Sequence, residues 1–392
     1  MDKGHRFLLC VTGGIAAYKA IDLASRLVKS GFEVKSILTA NAERFVSGMN
    51  FAAITHNDAH TDMWTDTDPI PHITLADWAD LIVVAPATAN IMAKAVTGIA
   101  DDLLSSVLLA HTKPVLFVPA MNVHMYSHPA TQANIISLKR LGHNILEPVT
   151  GMLACGYEGK GKYPPNAEVL YAIRTYLNYS QDIKGIKVLV SAGATMEMID
   201  PMRMISNRSS GKMGLAIARA LALRGAQVTL VHADIRCTIP YYLDKVIYAP
   251  SVQDMRTAVI MEGAAADWIV KCAAVSDFKP ETSSPRKIKK GGDLNLKLVS
   301  TTDILLELST HKNIGQKLIG FAAETEDLIK NARLKLEKKK LDLICVNHLD
   351  TVGKDETKLS LISAGANNED VIELSGDKFH VAHLLIDAIK AL

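Results

Sequence analysis

The chain predicts two open, mostly parallel, doubly wound α/β domains in tandem. Three observations carry this. Short, continuously apolar runs alternate with longer helix-like segments, the pattern of parallel strands buried on both faces. A glycine-bearing turn follows the first strand of each half, at Gly13-Gly14 and at Gly193. The alternation restarts near residue 184, after the polar stretch NYSQDIK at 178–184. Domains are therefore placed over 1–180 and 185–392.

In the first half, residues 6–12 form an apolar strand. Gly13-Gly14 then opens a helix over about 16–30, which Gly31 ends. Residues 33–38, 81–85 (LIVVA) and 115–119 (VLFVP) are the next strands, with helices rich in Ala, Leu and Met between them. In the second half, 187–191 (KVLVS) is a strand, followed by Gly193, a long loop, and a helix over about 211–224 capped by Gly225. Residues 227–231 (QVTLV), 268–273 and 341–346 (LDLICV) are further strands. The halves share this Rossmann-like plan without repeating a sequence.

At 392 residues and 48% hydrophobic, the chain has apolar material for two full cores. A net charge of +2 lacks the basic excess of a nucleic-acid surface. No apolar run approaches the roughly 20 residues that span a membrane. The short apolar stretch at 7–11 reads as a first strand rather than a signal peptide. Cys10, Cys155, Cys237, Cys272 and Cys345 are scattered, with no CxxC or Cys/His spacing for zinc. A reduced, cytoplasmic protein is the simplest expectation.

Ligands of open α/β sheets sit beyond the carboxyl ends of the strands, so the chemistry is sought in those loops. GGIAAYK at 13–19 follows the first strand and can turn backbone N–H groups toward a phosphate, although such turns are often only tight turns. PATAN at 86–90 and PAMNVHM at 119–125 end later strands, and the Asn122 side chain both donates and accepts, so that its amide N–H can bind a carboxylate. His72 precedes an apolar segment, where a lone histidine is more often structural. The segment GMLACGYEGKGKYP at 151–164 carries glycines at 151, 156, 159 and 161 and reads as a mobile flap. Such a lid can close over a substrate and exclude water. Cys155 within it is either a small buried hydrophobe or an accessible thiol, and the glycine-rich setting favours the second.

Taken together, GGIAAYK, HITLADWADLIVVAPATAN, PAMNVHM and ACGYEGKGKYP resemble the flavin-dependent cysteine decarboxylases, over about residues 5–175. The resemblance implies bound FMN, which oxidises the thiol-bearing carbon so that CO₂ leaves. The enethiolate that results is then protonated and reduced. It also implies roles by position. His72 is a base or substrate-orienting group, Asn122 binds the substrate carboxylate, and Cys155 gives the proton. Gly13, Ser36 or Thr39, Pro86, Thr88 and Asn90 fall where FMN contacts are expected. One departure is Lys162-Tyr163, where many members carry Arg-Met; the charge stays but bidentate anion recognition is lost.

In the second half, Asn207, Ser209 and Ser210 stand just before a helix, where anions are favoured. No GxGxxG is present, and His232, not an acidic residue, follows the second strand, which argues against a nicotinamide dinucleotide. Asp277 ends a strand–loop segment and can ligate Mg²⁺ with phosphate oxygens. RKIKK at 286–290 follows and can clamp a triphosphate. Lys335 and Lys339, four apart in KLEKKK, share a helix face.

SAGATMEMIDPMRMISNRSSGKMG, AAVSDFKP, RKIKK and GFAAETED, in that order, resemble the phosphopantothenate–cysteine ligase domain over about 185–390. The resemblance implies that CTP activates the phosphopantothenate carboxylate as an acyl-cytidylate, from which cysteine's amine displaces CMP. It implies that Asn207 contacts that intermediate, and that Asp277 and Lys287 meet nucleotide and metal. Thr301, Thr302, Asp303, Ile304, Phe321, Lys335 and Lys339 would line the CTP site. Thr301-Thr302-Asp303 departs from the NPD of many bacterial members. VGKDETK at 352–358 would cover a partner subunit's site. The small-molecule substrates would be 4'-phosphopantothenate, cysteine and CTP. The family implies a homo-oligomer of decarboxylase trimers and ligase dimers, up to a dodecamer. Two other readings compete: an FMN-binding regulatory subunit without chemistry, and a nicotinamide oxidoreductase. The joint presence of His72, Asn122 and Cys155, beside a full ligase half, favours catalysis.

Overall fold

The computed structural model describes residues 4–64, 68–291, 293–324, 327–348, 351, 353–365 and 370–392. Thr325, Glu326 and Val352 of the motifs above lie outside the described residues. The chain divides into two compact units, Met1–Ser180 and Gln181–Leu392.

The first unit is built on β1 (Arg6–Val11), β2 (Glu33–Leu38), β3 (Ala59–His60), β4 (Leu81–Ala87), β5 (Leu116–Pro119) and β6 (Asn144–Ile145). They form one sheet in the order β3-β2-β1-β4-β5-β6, with every described pairing parallel. All seven residues of β4 are buried, because helices cover both faces of the sheet. Those helices are α1 (Tyr18–Lys29), α2 (Gly48–Thr55), α3 (Pro71–Trp78), α4 (Ala89–Thr97), α5 (Leu103–Ala110), α6 (Val123–Ser127), α7 (Pro129–Arg140) and α8 (Asn166–Asn178). The expected first helix is preceded by a 3-10 turn over Ile15–Ala17. The core on one face joins Leu8, Cys10, Ile82, Val84 and Phe117 to Leu104 and Val107 of α5.

The expected flap is ordered as an antiparallel ribbon, β7 (Val149–Met152) with β8 (Glu158–Lys162). Two of its glycines, Gly159 and Gly161, serve close approach. A Cβ on Gly159 would sit 2.6 Å from Val123 Cγ2, and one on Gly161 would strike the carbonyl oxygen of Met121. The ribbon therefore lies flat against the loop that carries Asn122, and Met121 N donates to Gly161 O at 3.0 Å.

The second unit contains β9 (Lys187–Ala192), β10 (Met196–Asp200), β11 (Arg203–Ser206), β12 (Gln227–His232), β13 (Lys245–Tyr248), β14 (Trp268–Lys271), β15 (Phe278–Pro280), β16 (Leu298–Ser300), β17 (Lys317–Glu324), β18 (Leu343–His348), β19 (Glu356–Ser363) and β20 (Ile372–Asp377). Eight of them form one sheet, β13-β12-β9-β14-β17-β18-β19-β20. It is parallel as far as β18, and β19 and β20 then add antiparallel strands at one edge. Its helices are α9 (Lys212–Leu223), α10 (Val252–Gly263), α11 (Ile304–Thr310), α12 (Leu328–Lys338) and α13 (Lys378–Ala391).

The expected long loop before α9 is instead the hairpin β10–β11. Its turn is held by Asp200, whose carboxylate accepts from the N–H groups of Met202 and Arg203, both at 2.8 Å. Local capping of this kind escapes a search for apolar runs, because the hairpin's methionines face outward.

Candidate active sites

In the first sheet the chain runs outward from β1 to β2 and β3, then crosses to β4 on the other side. A reversal of this kind is where open α/β sheets bind ligands, here beyond the carboxyl ends of β1 and β4. Thr12, at the end of β1, stitches those ends together. Its Oγ1 donates to Pro86 O at 2.7 Å and accepts from Thr88 N at 3.1 Å. Gly13 is required there, since a Cβ would collide with Asn41. Thr88 caps α4, its Oγ1 accepting from Ile91 N at 3.4 Å. Pro86 is buried and Asn90 exposed on either side of it. Thr39 is half-buried and accepts from Ala42 N at 3.3 Å. Ser36 is fully buried in β2, so of that pair Thr39 is the residue that faces outward.

Asn122 caps the short α6, its Oδ1 accepting from His124 N at 2.8 Å. Its amide nitrogen donates to Cys155 Sγ at 3.1 Å, across 33 residues of chain. Cys155 is exposed at the tip of the ribbon. The Tyr157 backbone, followed by the Asn122 amide, stabilises its thiolate and holds the thiol below its ordinary value of 9.0. Lys160 of β8 pairs with Glu147, which also takes Lys139 at 2.9 Å, and so anchors the ribbon's base. His72 lies in the first turn of α3, and its Nδ1 is buried without a hydrogen-bond partner. Tyr163 OH and Ser36 Oγ are likewise unsatisfied. Buried polar atoms left open in this way suit a unit that takes a polar ring cofactor.

In the second sheet the reversal falls between β9 and β14. A cleft of about 570 Å³ opens there. It gathers Asn207, Asp277, Thr301, Thr302, Asp303, Ile304, Phe321, Lys335 and Lys339, from five separate segments. Asn207 Nδ2 donates to Ala274 O and Val275 O, both at 3.2 Å, which pins the loop before α9 across the end of β14. Gly214 lets α9 press onto β9, because a Cβ there would sit 2.6 Å from Ala192 Cβ. Ser209, Ser210 and Gly211 present the amino end of that helix to the cleft. Thr301 Oγ1 donates to Ser276 O at 2.6 Å, and Asp303 caps α11 while pairing with Lys339 at 2.9 Å.

Lys287 is the departure. It is exposed on a loop that does not line the cleft. That loop is tied to the β10–β11 hairpin instead: Ile288 N donates to Asp200 Oδ2 at 3.1 Å, and Arg203 Nη1 to Ile288 O at 3.1 Å. The cleft also holds Lys212, Lys271 and Lys378, which the motifs did not single out. A lysine closing the apolar strand WIVK was the available signal for Lys271. Nothing local marks Lys378, which arrives from the last helix. Among the described residues no group of three or more His, Cys, Asp or Glu side chains is arranged to hold a metal. Asp277 is an exposed carboxylate of the cleft, and Asp303, the other, is held by Lys339, which suits a cation carried in by phosphates rather than a protein cage.

Fold and sites together define two α/β units, each with polar loops at the reversal of its sheet, the second carrying a cationic cleft. Residues 1–178 match the family model described as flavoprotein, and 183–392 match that of the DNA/pantothenate metabolism flavoprotein C-terminal domain. The chain is 47% identical over 358 residues to the coenzyme A biosynthesis bifunctional protein CoaBC of Bacillus subtilis, covering 90% of this chain and 88% of that one. It is 39% identical over 412 residues to the protein of the same name from Mycolicibacterium smegmatis, covering 100% and 98%. A solved C-terminal domain of a CoaBC protein covers 54% of this chain and 97% of its own, at 34% identity and a TM-score of 0.47. The chain belongs to the family of bifunctional coenzyme A biosynthesis proteins. It is an enzyme with two activities, a carboxy-lyase in its flavoprotein half and a carbon–nitrogen ligase in its second half.

Proposed function

We propose that the second half joins 4'-phosphopantothenate to cysteine through an acyl-cytidylate made from CTP, and that the first half decarboxylates the product to 4'-phosphopantetheine. The observation that carries the decarboxylase assignment is the Asn122–Cys155 hydrogen bond at 3.1 Å. It brings a carboxylate-binding amide and a proton-donating thiol to one point from distant segments.

FMN, when bound, supplies reversible oxidation at the thiol-bearing carbon, which makes loss of CO₂ feasible. Gly13, Thr39, Pro86, Thr88 and Asn90 would hold it, with Ser36 behind them in the sheet. The Asn122 amide orients the substrate carboxylate, and freeing its hydrogen bond to Cys155 is part of substrate entry. The Cys155 thiol then delivers its proton to the product carbon. His72, with its Nδ1 unpartnered, orients the amide or takes a proton during oxidation.

In the ligase half, the amino end of α9 and the more open Lys212 beside it suit the phosphates. Asp277 would hold Mg²⁺ together with phosphate oxygens. Thr301 to Ile304, Phe321, Lys335 and Lys339 would surround the nucleotide. Asn207 would steady the acyl-cytidylate while the amine attacks, since a carboxylate needs a good leaving group before it forms an amide. Lys287, on its hairpin-tied loop, would reach nucleotide and metal through movement of that loop. We place both activities in a cytoplasmic homo-oligomer, in keeping with the resemblance and with five free cysteines.

The test is incubation with phosphopantothenate, cysteine, CTP and Mg²⁺, followed by mass analysis. Both the cysteinyl amide and the decarboxylated thiol should form. Cys155→Ser should keep bound flavin and CO₂ release while the saturated thiol fails to accumulate. Normal product from that variant would remove Cys155 from the mechanism.

A further inference from the structure

One cation of the ligase cleft has no role in the account above. Lys271 is the last residue of β14, opposite Ser191 of β9, and so stands at the reversal of strand order where the cleft opens. Its side chain lines that cleft, yet the residue is only 6% exposed. Other lysines of the cleft are engaged. Lys212 pairs with Asp355 at 2.6 Å and Lys339 with Asp303 at 2.9 Å. Lys378 donates to the carbonyls of Thr351 and Glu356, at 3.1 and 3.2 Å. Lys271 has no hydrogen bond or ion pair among the described residues. Burial lowers its pKa to about 8, the mark of a charge held away from water without a strong counter-ion. Such a group is costly to keep unless a ligand satisfies it.

The surroundings indicate which part of a ligand that is. Phosphates have the amino end of α9 and the more open Lys212 beside it. Lys271 shares the cleft with Ile304, Leu305, Phe321 and Ala322, an apolar wall suited to a flat ring. A buried ammonium only donates, so it needs an acceptor on that ring's edge. Cytosine offers N3 as an acceptor. Uracil carries a hydrogen on N3 and would meet the ammonium donor to donor.

We propose that Lys271 is a specificity-determining residue of the ligase cleft, its ammonium donating to N3 of the cytosine base. The proposal rests on the ligase reading above. A site built to donate to a ring acceptor rejects a base that lacks it, because the buried donor is then left unpaired.

The test uses the full-length chain with phosphopantothenate and cysteine, and compares kcat/KM for CTP and UTP. In Lys271→Met the CTP value should fall while the UTP value holds, so that the preference shrinks by about 10- to 100-fold. Lys271→Gln, whose amide still donates, should keep part of that preference. Equal losses for both nucleotides would assign Lys271 to phosphate or to structure, and overturn the proposal. Thermal melting and circular dichroism of the same preparations report folding of the second unit. A second measurement needs no variant: 3-deaza-CTP, which carries C–H in place of N3, should bind the unmodified chain at least tenfold more weakly than CTP. Equal binding sinks the assignment of Lys271 alone, whereas absence of any CTP-dependent ligation by the unmodified chain sinks the ligase reading itself.

Discussion

Cys155 combines exposure with a thiol already biased toward ionisation by the Tyr157 backbone and the Asn122 amide. A proton donor works only while protonated, so the donor form is lost as pH rises through this lowered value. The decarboxylation rate should therefore decline with pH below the range of an ordinary thiol. Asn122→Ala removes one of the stabilising hydrogen bonds and should move that limb to higher pH, along with raising KM for the carboxylate substrate. A pH profile of kcat for both proteins checks this, and an unmoved limb would detach the thiol from the observed titration. Asn122, His72 and Cys155 were legible in the chain only as members of motifs. That the amide touches the sulfur was not, since 33 residues separate them and the contact exists only once the ribbon has folded back.

At the scale of elements, the glycine-rich segment shows how one composition supports two structures. Four glycines suggest mobility, but Gly159 and Gly161 sit where side chains would collide with Val123 and Met121. They allow a ribbon to lie against the Asn122 loop. Gly161→Ala should lift that ribbon and displace Cys155, and a misplacement of about 1 Å typically lowers turnover on the order of 100-fold. Flavin absorbance should persist, because the loops proposed to hold FMN belong to other strands. Glu147→Gln, which weakens the anchor to Lys160 and Lys139, should produce a milder loss of the same kind. The hairpin β10–β11 makes the reverse point. Its outward methionines hide it from a search for buried runs, and its turn depends on the Asp200 carboxylate, which is fully buried.

For the whole molecule, two activities on two compact units predict separable losses. Asp277→Asn should abolish or strongly reduce CTP-dependent ligation while decarboxylation of supplied cysteinyl amide proceeds unchanged. Asp277 is exposed, so this charge change should leave melting behaviour intact. Stability of the second unit draws on Arg224, 1% exposed and held by Asp182 and Asp387, both through Nη2 at 2.6 Å. The Arg224 and Lys390 partners depress the pKa of Asp182. A depressed carboxylate stabilises the fold above its unfolded pKa, and that contribution disappears as pH falls through the folded value. Asp182→Asn should therefore cost about 1–3 kcal/mol near neutral pH. The difference from the unmodified protein should close in strong acid, which denaturant titrations at several pH values would reveal.

The order of residues was sufficient for the class of fold and for the chemistry of the loops. Apolar runs and glycine turns depend on local periodicity, and the motifs survive as contiguous strings. What the chain could not disclose is which side chains converge. Thr301, Phe321, Lys335 and Lys271 come together because the order of strands reverses beside β9, a long-range pairing choice with no local trace. Lys287 fails to join them because a buried carboxylate in a distant hairpin claims its loop. Convergence of that kind is settled by sheet order and burial, which follow from packing the whole chain rather than from any segment of it.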